Sequence, residues 1–415
     1  MKKNALLIFS WALYDLANQF FALNIVSLYF VRWVTIQMGK PEIFYSIAFA
    51  VSMSCVAIFS PIFGAISDES GRRRPFLVYL TILSVIFTMI LGFGNNVYLG
   101  LIFFAVANFG CQLAIVFYNA MMSCIAPKDK LGLVSGFGRM MGYSGAIVAL
   151  YIVKPIVLKY GYRASFFPTG VSFLLFSLPC LLFVRDTDAC LGRQPVNMKS
   201  FFAKERFFEA IRQTKEFISG GEVSLGLSDY LKSAFFSLSV VNAVILFMSV
   251  YATRVFHLNE NQIVNLIMFS TLFAIIGSIG FGFISDRIGA GRSLKIIIVL
   301  WCICITSGSV VQEAGFYKII GSLVGLGLGG VWVVFRALLV EVAPKEKVGI
   351  IFGVFNLIGY VSAVIGALAW GGLLLFLARF NELGYRISLF SLNIFLALAF
   401  IFLLRKQKTA LGIKC

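Results

Sequence analysis

The sequence predicts an all-α membrane protein of twelve transmembrane helices, arranged as two pseudo-symmetric six-helix bundles. Three observations carry this prediction: a composition too apolar for water, apolar runs of spanning length with basic residues in alternate loops, and an internal repeat at constant offset. The 415 residues are 60% hydrophobic and only 13% charged, with a mean hydropathy of +0.93, whereas soluble domains carry about 25% charged residues. A helix crossing the hydrocarbon layer needs roughly 20 apolar residues, because its backbone amides must pair within the segment.

Spans are expected at 6–31, 43–66, 76–94, 98–125, 133–157 and 165–184, then at 231–255, 261–284, 294–312, 316–342, 349–378 and 386–404. The first follows Met1-Lys2-Lys3 in the manner of a signal peptide, but Trp11, Tyr14 and Asp15 interrupt it and no small-residue cleavage pattern follows. It is read as a membrane helix. The chain thus divides into a first bundle (1–184), a central cytoplasmic loop (185–230), a second bundle (231–404) and a tail (405–415). In the central loop, Phe201, Phe208, Ile211 and Ile218 recur at helical intervals among Lys199, Lys204, Arg206, Arg212 and Lys215. A basic amphipathic helix on the bilayer surface fits this pattern, and so does a flexible linker.

The net charge of +17 could suggest a nucleic-acid partner, so the placement of the basic residues decides. Of the 35 Lys and Arg, with those near a span end counted in the adjoining loop, 24 fall in the tails and even-numbered loops and nine in the opposite loops, while Arg139 and Arg336 lie well within spans. The lipid bilayer is therefore the partner, no nucleic acid is expected, and both termini face the cytoplasm. The eight cysteines lie mostly inside apolar segments, Cys302 and Cys304 form only a C-x-C, and the single histidine, His257, is distant in sequence. Neither a metal site nor a disulfide framework is indicated, and no cofactor is expected. Gly325-x-Gly327-x-x-Gly330 fits a dinucleotide fingerprint in form only, since it lies inside an apolar helix with no strand before it.

Ala120 to Tyr143 matches Ala337 to Tyr360 without a gap at an offset of 217, with nine identities that include Pro127/Pro344 and Gly142/Gly359. Gly64-Ala-Ile-Ser-Asp68 and Gly282-Phe-Ile-Ser-Asp286 recur at an offset of 218. The halves are related by duplication. Six spans separate equivalent positions, an even number, so both copies share one orientation in the membrane.

Trp11, Tyr14, Asp15, Asn18 and Ala22 fall at helical spacing and share one face of the first span. A carboxylate facing lipid is expensive, so Asp15 faces either a water-filled cavity or a polar partner on a neighbouring helix. Asn108, Gln112 and Asn119 occupy one face of the fourth span, where they either line the same cavity or bond helices together. Arg139 and Arg336 each need an acidic or substrate partner unless their side chains snorkel to the interface. The glycines at 132, 136, 138, 142 and 145, and at 325, 327, 329 and 330, remove bulk for close helix approach.

Gly64 to Arg74, between the second and third spans, resembles the signature loop of major facilitator transporters, and Gly282 to Arg292 is its second-half echo. Trp11-Ala-Leu-Tyr14-Asp15-Leu-Ala-Asn18, Phe117-Tyr118-Asn119-Ala120, and Ser135-Gly-Phe-Gly138 through Gly142-Tyr143-Ser-Gly145 resemble the autophagy-related vacuolar amino-acid effluxer branch and its bacterial relatives. Two positions depart from that pattern. Gln19 stands where a serine usually follows the asparagine, and Ser239 stands three residues before Asn242 where helix 7 usually carries an aspartate.

The resemblance implies the major facilitator fold and a secondary transporter in a bacterial cytoplasmic membrane. Its two halves would rock about a midplane cavity built from helices 1, 4, 7 and 10. It would export a small polar solute such as an amino acid, with protons as a candidate coupling partner, and act as a monomer. Tyr14, Asp15, Asn18, Asn108, Gln112, Asn119, Arg139, Asn242 and Arg336 are the candidate substrate or coupling residues. Gly64, Asp68, Gly71, Arg72, Arg73, Gly282, Asp286 and Gly289 form the candidate cytoplasmic gate, with Asp68 expected near the amides of Val348 to Ile350 and Asp286 near those of Leu131 to Leu133. A transporter of amphiphiles and a nontransporting receptor are the alternatives. An intramembrane enzyme would need a nucleophile-base pair or a metal cluster at membrane depth, and the sequence has neither.

Overall fold

The computed structural model describes residues 2–70, 73–125, 131–184, 225–342 and 348–410, and among these every regular element is a helix. α1 runs from Lys2–Phe21 and continues as wide π-helical turns at Ala22–Leu28 and Trp33–Gln37 around one α-helical turn, Tyr29–Arg32. The others are α2 (Glu42–Ser70), α3 (Arg74–Met89), α4 (Val97–Ile125), α5 (Leu131–Tyr160), α6 (Phe166–Phe183), α7 (Leu225–Val255), α8 (Glu260–Ile288), α9 (Ala290–Val310), α10 (Tyr317–Val342), α11 (Val348–Leu377) and α12 (Glu382–Ala410). The central loop up to residue 224 and the last five residues lie outside the described residues.

Eleven of these helices are long and apolar enough to cross a membrane. The exception is α3, whose 16 residues rise about 24 Å against a hydrocarbon layer of about 30 Å. The sequence placed this span at 76–94, but the Ile90 N–H closes the last α-helical turn on the Ile86 carbonyl, the Leu91 N–H makes a tighter turn onto Thr88, and a 3₁₀ turn follows at Phe93–Asn95. Asn95 takes a positive φ of 52°, which ends the helical path. At the first span the difference runs the other way. Helical turns continue past residue 31 to Gln37, which draws Arg32 inside, 2% exposed, with its guanidinium 4.8 Å from the centre of the Tyr162 ring. A cation–π contact offsets part of the desolvation of that charge.

The chain forms two compact units, the first within Met1–Lys40 and Ile47–Phe208, the second within Pro41–Ser46 and Glu209–Cys415. In the first, α1 packs on α5 and α6, and α3 packs on α4 and α6. In the second, α7 packs on α11 and α12, and α9 on α10 and α12, while α8 lies along α10. Each of the first unit's four pairings recurs six helices later, the structural counterpart of the sequence repeat.

The glycines set how closely these pairs approach. A Cβ added at Gly145 of α5 would stand 2.5 Å from the Leu16 carbonyl oxygen of α1, so only glycine lets the two backbones meet there. Around this seam lies an aromatic core in which Trp11, Tyr14, Leu113, Phe117, Tyr118, Val134 and Cys180 are all buried.

Candidate functional site

In the first unit the polar face of α1 meets this core. The Trp11 ring lies flat on Tyr118 of α4, with centroids 4.6 Å apart and planes within 10°. Its Nε1 donates to the Tyr118 carbonyl at 3.0 Å. Tyr14 stacks on the same ring at 4.9 Å. The Thr81 hydroxyl donates to the Leu77 carbonyl, so the 2.7 Å bond between Thr81 and Tyr14 is donated by the phenol. Asn18 is 9% exposed and its Oδ1 accepts from the Cys111 thiol at 2.9 Å. Every polar atom just named is thereby paired inside the unit.

Asp15 sits half-buried on the same face, against α5. A Cβ at Gly138 would stand 3.4 Å from its Oδ2, and one at Gly142 would stand 3.7 Å from its Cγ and 3.7 Å from Gln19 Nε2. The glycines therefore let the carboxylate lie directly against α5. Trp11 packs on the same surface, since its ring is what a Cβ at Gly138 would strike, at 2.8 Å. Arg139, the next residue along α5, is exposed.

The remaining candidates divide by environment. Asn108 is fully buried and donates to Ser52 of α2 at 2.8 Å, as an interhelical bond. Gln112 is half-buried and Asn119 exposed, so the polar face of α4 becomes more open toward its C-terminal end. In the second unit Asn242 donates to the Leu238 carbonyl at 2.8 Å and to Ser362 of α11 at 3.5 Å, while Ser239 donates to the Phe235 carbonyl. The helix 7 face is thus satisfied within its own helix and by α11. Arg336 is half-buried in α10.

Of the candidate gate, Gly282 faces Val333, Asp286 is exposed near the end of α8, and Gly289 caps that helix with a φ of +87° and its N–H on the Ser285 carbonyl. Arg73 is half-buried just ahead of α3. Gly64 and Asp68 belong to the backbone of α2, but the Asp68 side chain lies outside the described residues, as do Gly71 and Arg72. Among the described residues no group of three or more His, Cys, Asp or Glu could hold a metal ion.

Sequence reasoning did not select Tyr118, Thr81 or Cys111. A signal for Tyr118 exists in the repeat: its equivalent at an offset of 217 is Phe335, whose carbonyl accepts the Tyr230 hydroxyl at 2.8 Å. Helix 1 and helix 7 thus each anchor an aromatic donor on the equivalent carbonyl of helix 4 and helix 10.

A polytopic helical protein that holds a carboxylate and a dense polar-aromatic cluster between spanning helices has the build of a membrane transporter. The chain belongs to the Major Facilitator Superfamily, whose family model matches residues 12–367. It is a multi-pass integral membrane protein, of a family that acts on small molecules and carries out transport rather than catalysis.

The chain is 22% identical over 379 residues to the uncharacterized MFS-type transporter YxiO of Bacillus subtilis, covering 86% of each chain. It is 24% identical over 395 residues to the multi-drug resistance efflux pump PmrA of Streptococcus pneumoniae, covering 91% of this chain and 90% of PmrA. In fold it is similar to the nucleoside transporter NupG, with a TM-score of 0.74 at 11% identity over 98% of both chains. It is also similar to a bacterial homologue of the lysosomal transporter Spinster, with a TM-score of 0.68 at 16% identity over 99% of this chain and 97% of that one.

Proposed function

We propose that this protein is a secondary active transporter that exports a small polar solute bearing an amine, an amino acid or similar metabolite, from the bacterial cytoplasm by alternating access. The observation that carries the reading is Asp15, a half-buried carboxylate within a spanning helix, set against the glycine surface of α5 beside the Trp11 ring. A carboxylate within a membrane helix is costly enough that a functional role is the default explanation, and its charge suits an ammonium group or a coupling proton. The α1 motif that holds Asp15 supports kinship with the autophagy-related vacuolar amino-acid effluxers and their bacterial relatives. The excess of basic residues in even-numbered loops supports cytoplasmic termini. The signature-loop residues then serve as a gate on that side, and the protein works as a monomer.

The experiment is flux in proteoliposomes loaded with isotope-labelled proteinogenic amino acids, with and without a pH gradient. Saturable, gradient-stimulated flux that is lost in Asp15→Ala supports the proposal. A second reading, efflux of amphiphilic cations, is favoured by the 24% identity to PmrA and by the Trp11, Tyr14 and Tyr118 rings beside the acid. Ethidium flux in the absence of any amino-acid flux would select that reading and reject the first.

A further inference from the structure

We infer that the first turn of α2, Pro41–Ser46, is a latch fastened by Glu42 and Tyr385, and that it must release for the transport cycle to proceed. The inference rests on alternating access as proposed above and adds to it a place where the cycle is held, on the side that the proposed orientation makes external.

α2 is one helix from Glu42 to Ser70, yet its residues up to Ser46 belong to the second unit and those from Ile47 on to the first. The turn is seated by three contacts. Tyr45 is fully buried and packs edge-on against Phe247 of α7 at 5.9 Å, and Phe247 in turn stacks on Trp370 of α11 at 5.6 Å. Gly371, the next residue of α11, admits the turn: a Cβ there would stand 2.9 Å from Ser46 Cβ and 3.2 Å from Ile43 Cα. Finally, the Tyr385 hydroxyl of α12 donates to the Glu42 carboxylate.

The chemistry of the third contact marks a joint that opens. Glu42 is 9% exposed, and among the described residues no other acidic side chain is as buried. Taking a carboxylate out of water is costly, so a permanent joint is better served by an apolar side chain at the same place. A charge-assisted hydrogen bond is strong while its geometry holds, and on release the carboxylate regains its hydration. The course of α2 supplies the strain. Between Glu42 and Ser60 it has neither glycine nor proline at which to bend. Rocking of the halves therefore pulls on a turn that a stiff helix ties to the first unit.

The test uses the full-length protein in sealed proteoliposomes. Ser46 is fully buried, so in Ser46→Cys the introduced thiol meets a membrane-impermeant maleimide only when the latch opens; the wild type reports the background of native cysteines. Adding Tyr385→Phe should speed labelling about tenfold or more, the factor expected for a lost hydrogen bond to a charged group, and an unchanged rate would overturn the inference. In Ser46→Cys/Gly371→Cys the two β-carbons lie close enough for a disulfide after a small shift. Oxidation should abolish flux of labelled amino acids and dithiothreitol should restore it. Full flux with the disulfide formed, or failure of the disulfide to form, would also overturn the inference. Wild-type protein that moves no amino acid rejects the proposed function. The labelling comparison needs no solute and tells that failure apart from a failure of the latch itself.

Discussion

Gly145→Ala adds one methyl group at the α1–α5 seam. That Cβ would stand 2.5 Å from the Leu16 carbonyl oxygen, 2.7 Å from its Cα and 3.0 Å from its carbonyl carbon. Ordinary contact begins near 3.4 Å, so α1 and α5 must separate locally by about 0.9 Å. The obstructing atoms are backbone, and no side chain can rotate away to make room. Overpacking of this kind typically costs about 1–3 kcal/mol. The helix-forming advantage of alanine over glycine offsets only about 0.5–1 kcal/mol of it. The seam also sets the distance from Asp15 to Gly138 and Gly142, so transport should fall with stability. The assay is the apparent melting temperature in one detergent at one scan rate, with Gly359→Ala as the control, because a Cβ at Gly359 meets nothing within 4 Å. Gly145→Ala should melt several degrees below the wild type and Gly359→Ala at or above it. If Gly145→Ala melts no lower than Gly359→Ala, the close approach of α1 and α5 is wrong.

Other consequences follow from the same geometry. Trp11→Phe keeps a ring on Tyr118 but loses the 3.0 Å bond to its carbonyl, which should lower stability by about 0.6 kcal/mol and at most ~1.7, as for other interhelical bonds in membranes; thermal melting checks it. Arg386 donates to the Ser309 and Val311 carbonyls at 3.1 and 2.7 Å, closing the end of α9. Arg386→Ala should cost about 1.5–3 kcal/mol, with partial recovery in Arg386→Lys, and equal melting of all three proteins would refute this. Asn259 and Gln262 form a capping box at the start of α8. Asn259→Ala should cost about 1 kcal/mol and Asn259→Ser much less, a contrast that hydrogen exchange at the first turn of α8 can resolve.

Much of the first-unit site could be read in the sequence because the helical repeat is a strong constraint. Trp11, Tyr14, Asp15 and Asn18 share a face at 3.6-residue spacing, and in the structure that face meets α4 and α5. Tyr118 lies in the Phe117-Tyr118-Asn119-Ala120 motif and in the repeat, but no helical periodicity singles it out. It is one aromatic among 44 Phe and 15 Tyr, and its importance comes from a ring stack and a carbonyl contact that exist only once α1 and α4 are packed. The shortness of α3 is hidden because hydropathy stays high through Ile90, Leu91 and Phe93 although the backbone has already turned. The wide turns of α1 are equally invisible, since residues 22–37 contain neither glycine nor proline to mark them. Hydropathy also cannot assign Pro41–Ser46, which begins the second span yet belongs to the second unit: Tyr45 packs edge-on against Phe247, and the Tyr385 hydroxyl bonds to Glu42.

The most direct test of the central claim is Asp15→Asn in proteoliposomes, with gradient-driven flux and substrate counterflow measured side by side on the same preparation. The account predicts that gradient-driven flux is abolished. Counterflow persists if the carboxylate carries the coupling proton, and falls with it if the carboxylate binds the solute's ammonium. Full pH-driven transport by the Asn variant would remove Asp15 from both roles and contradict the account.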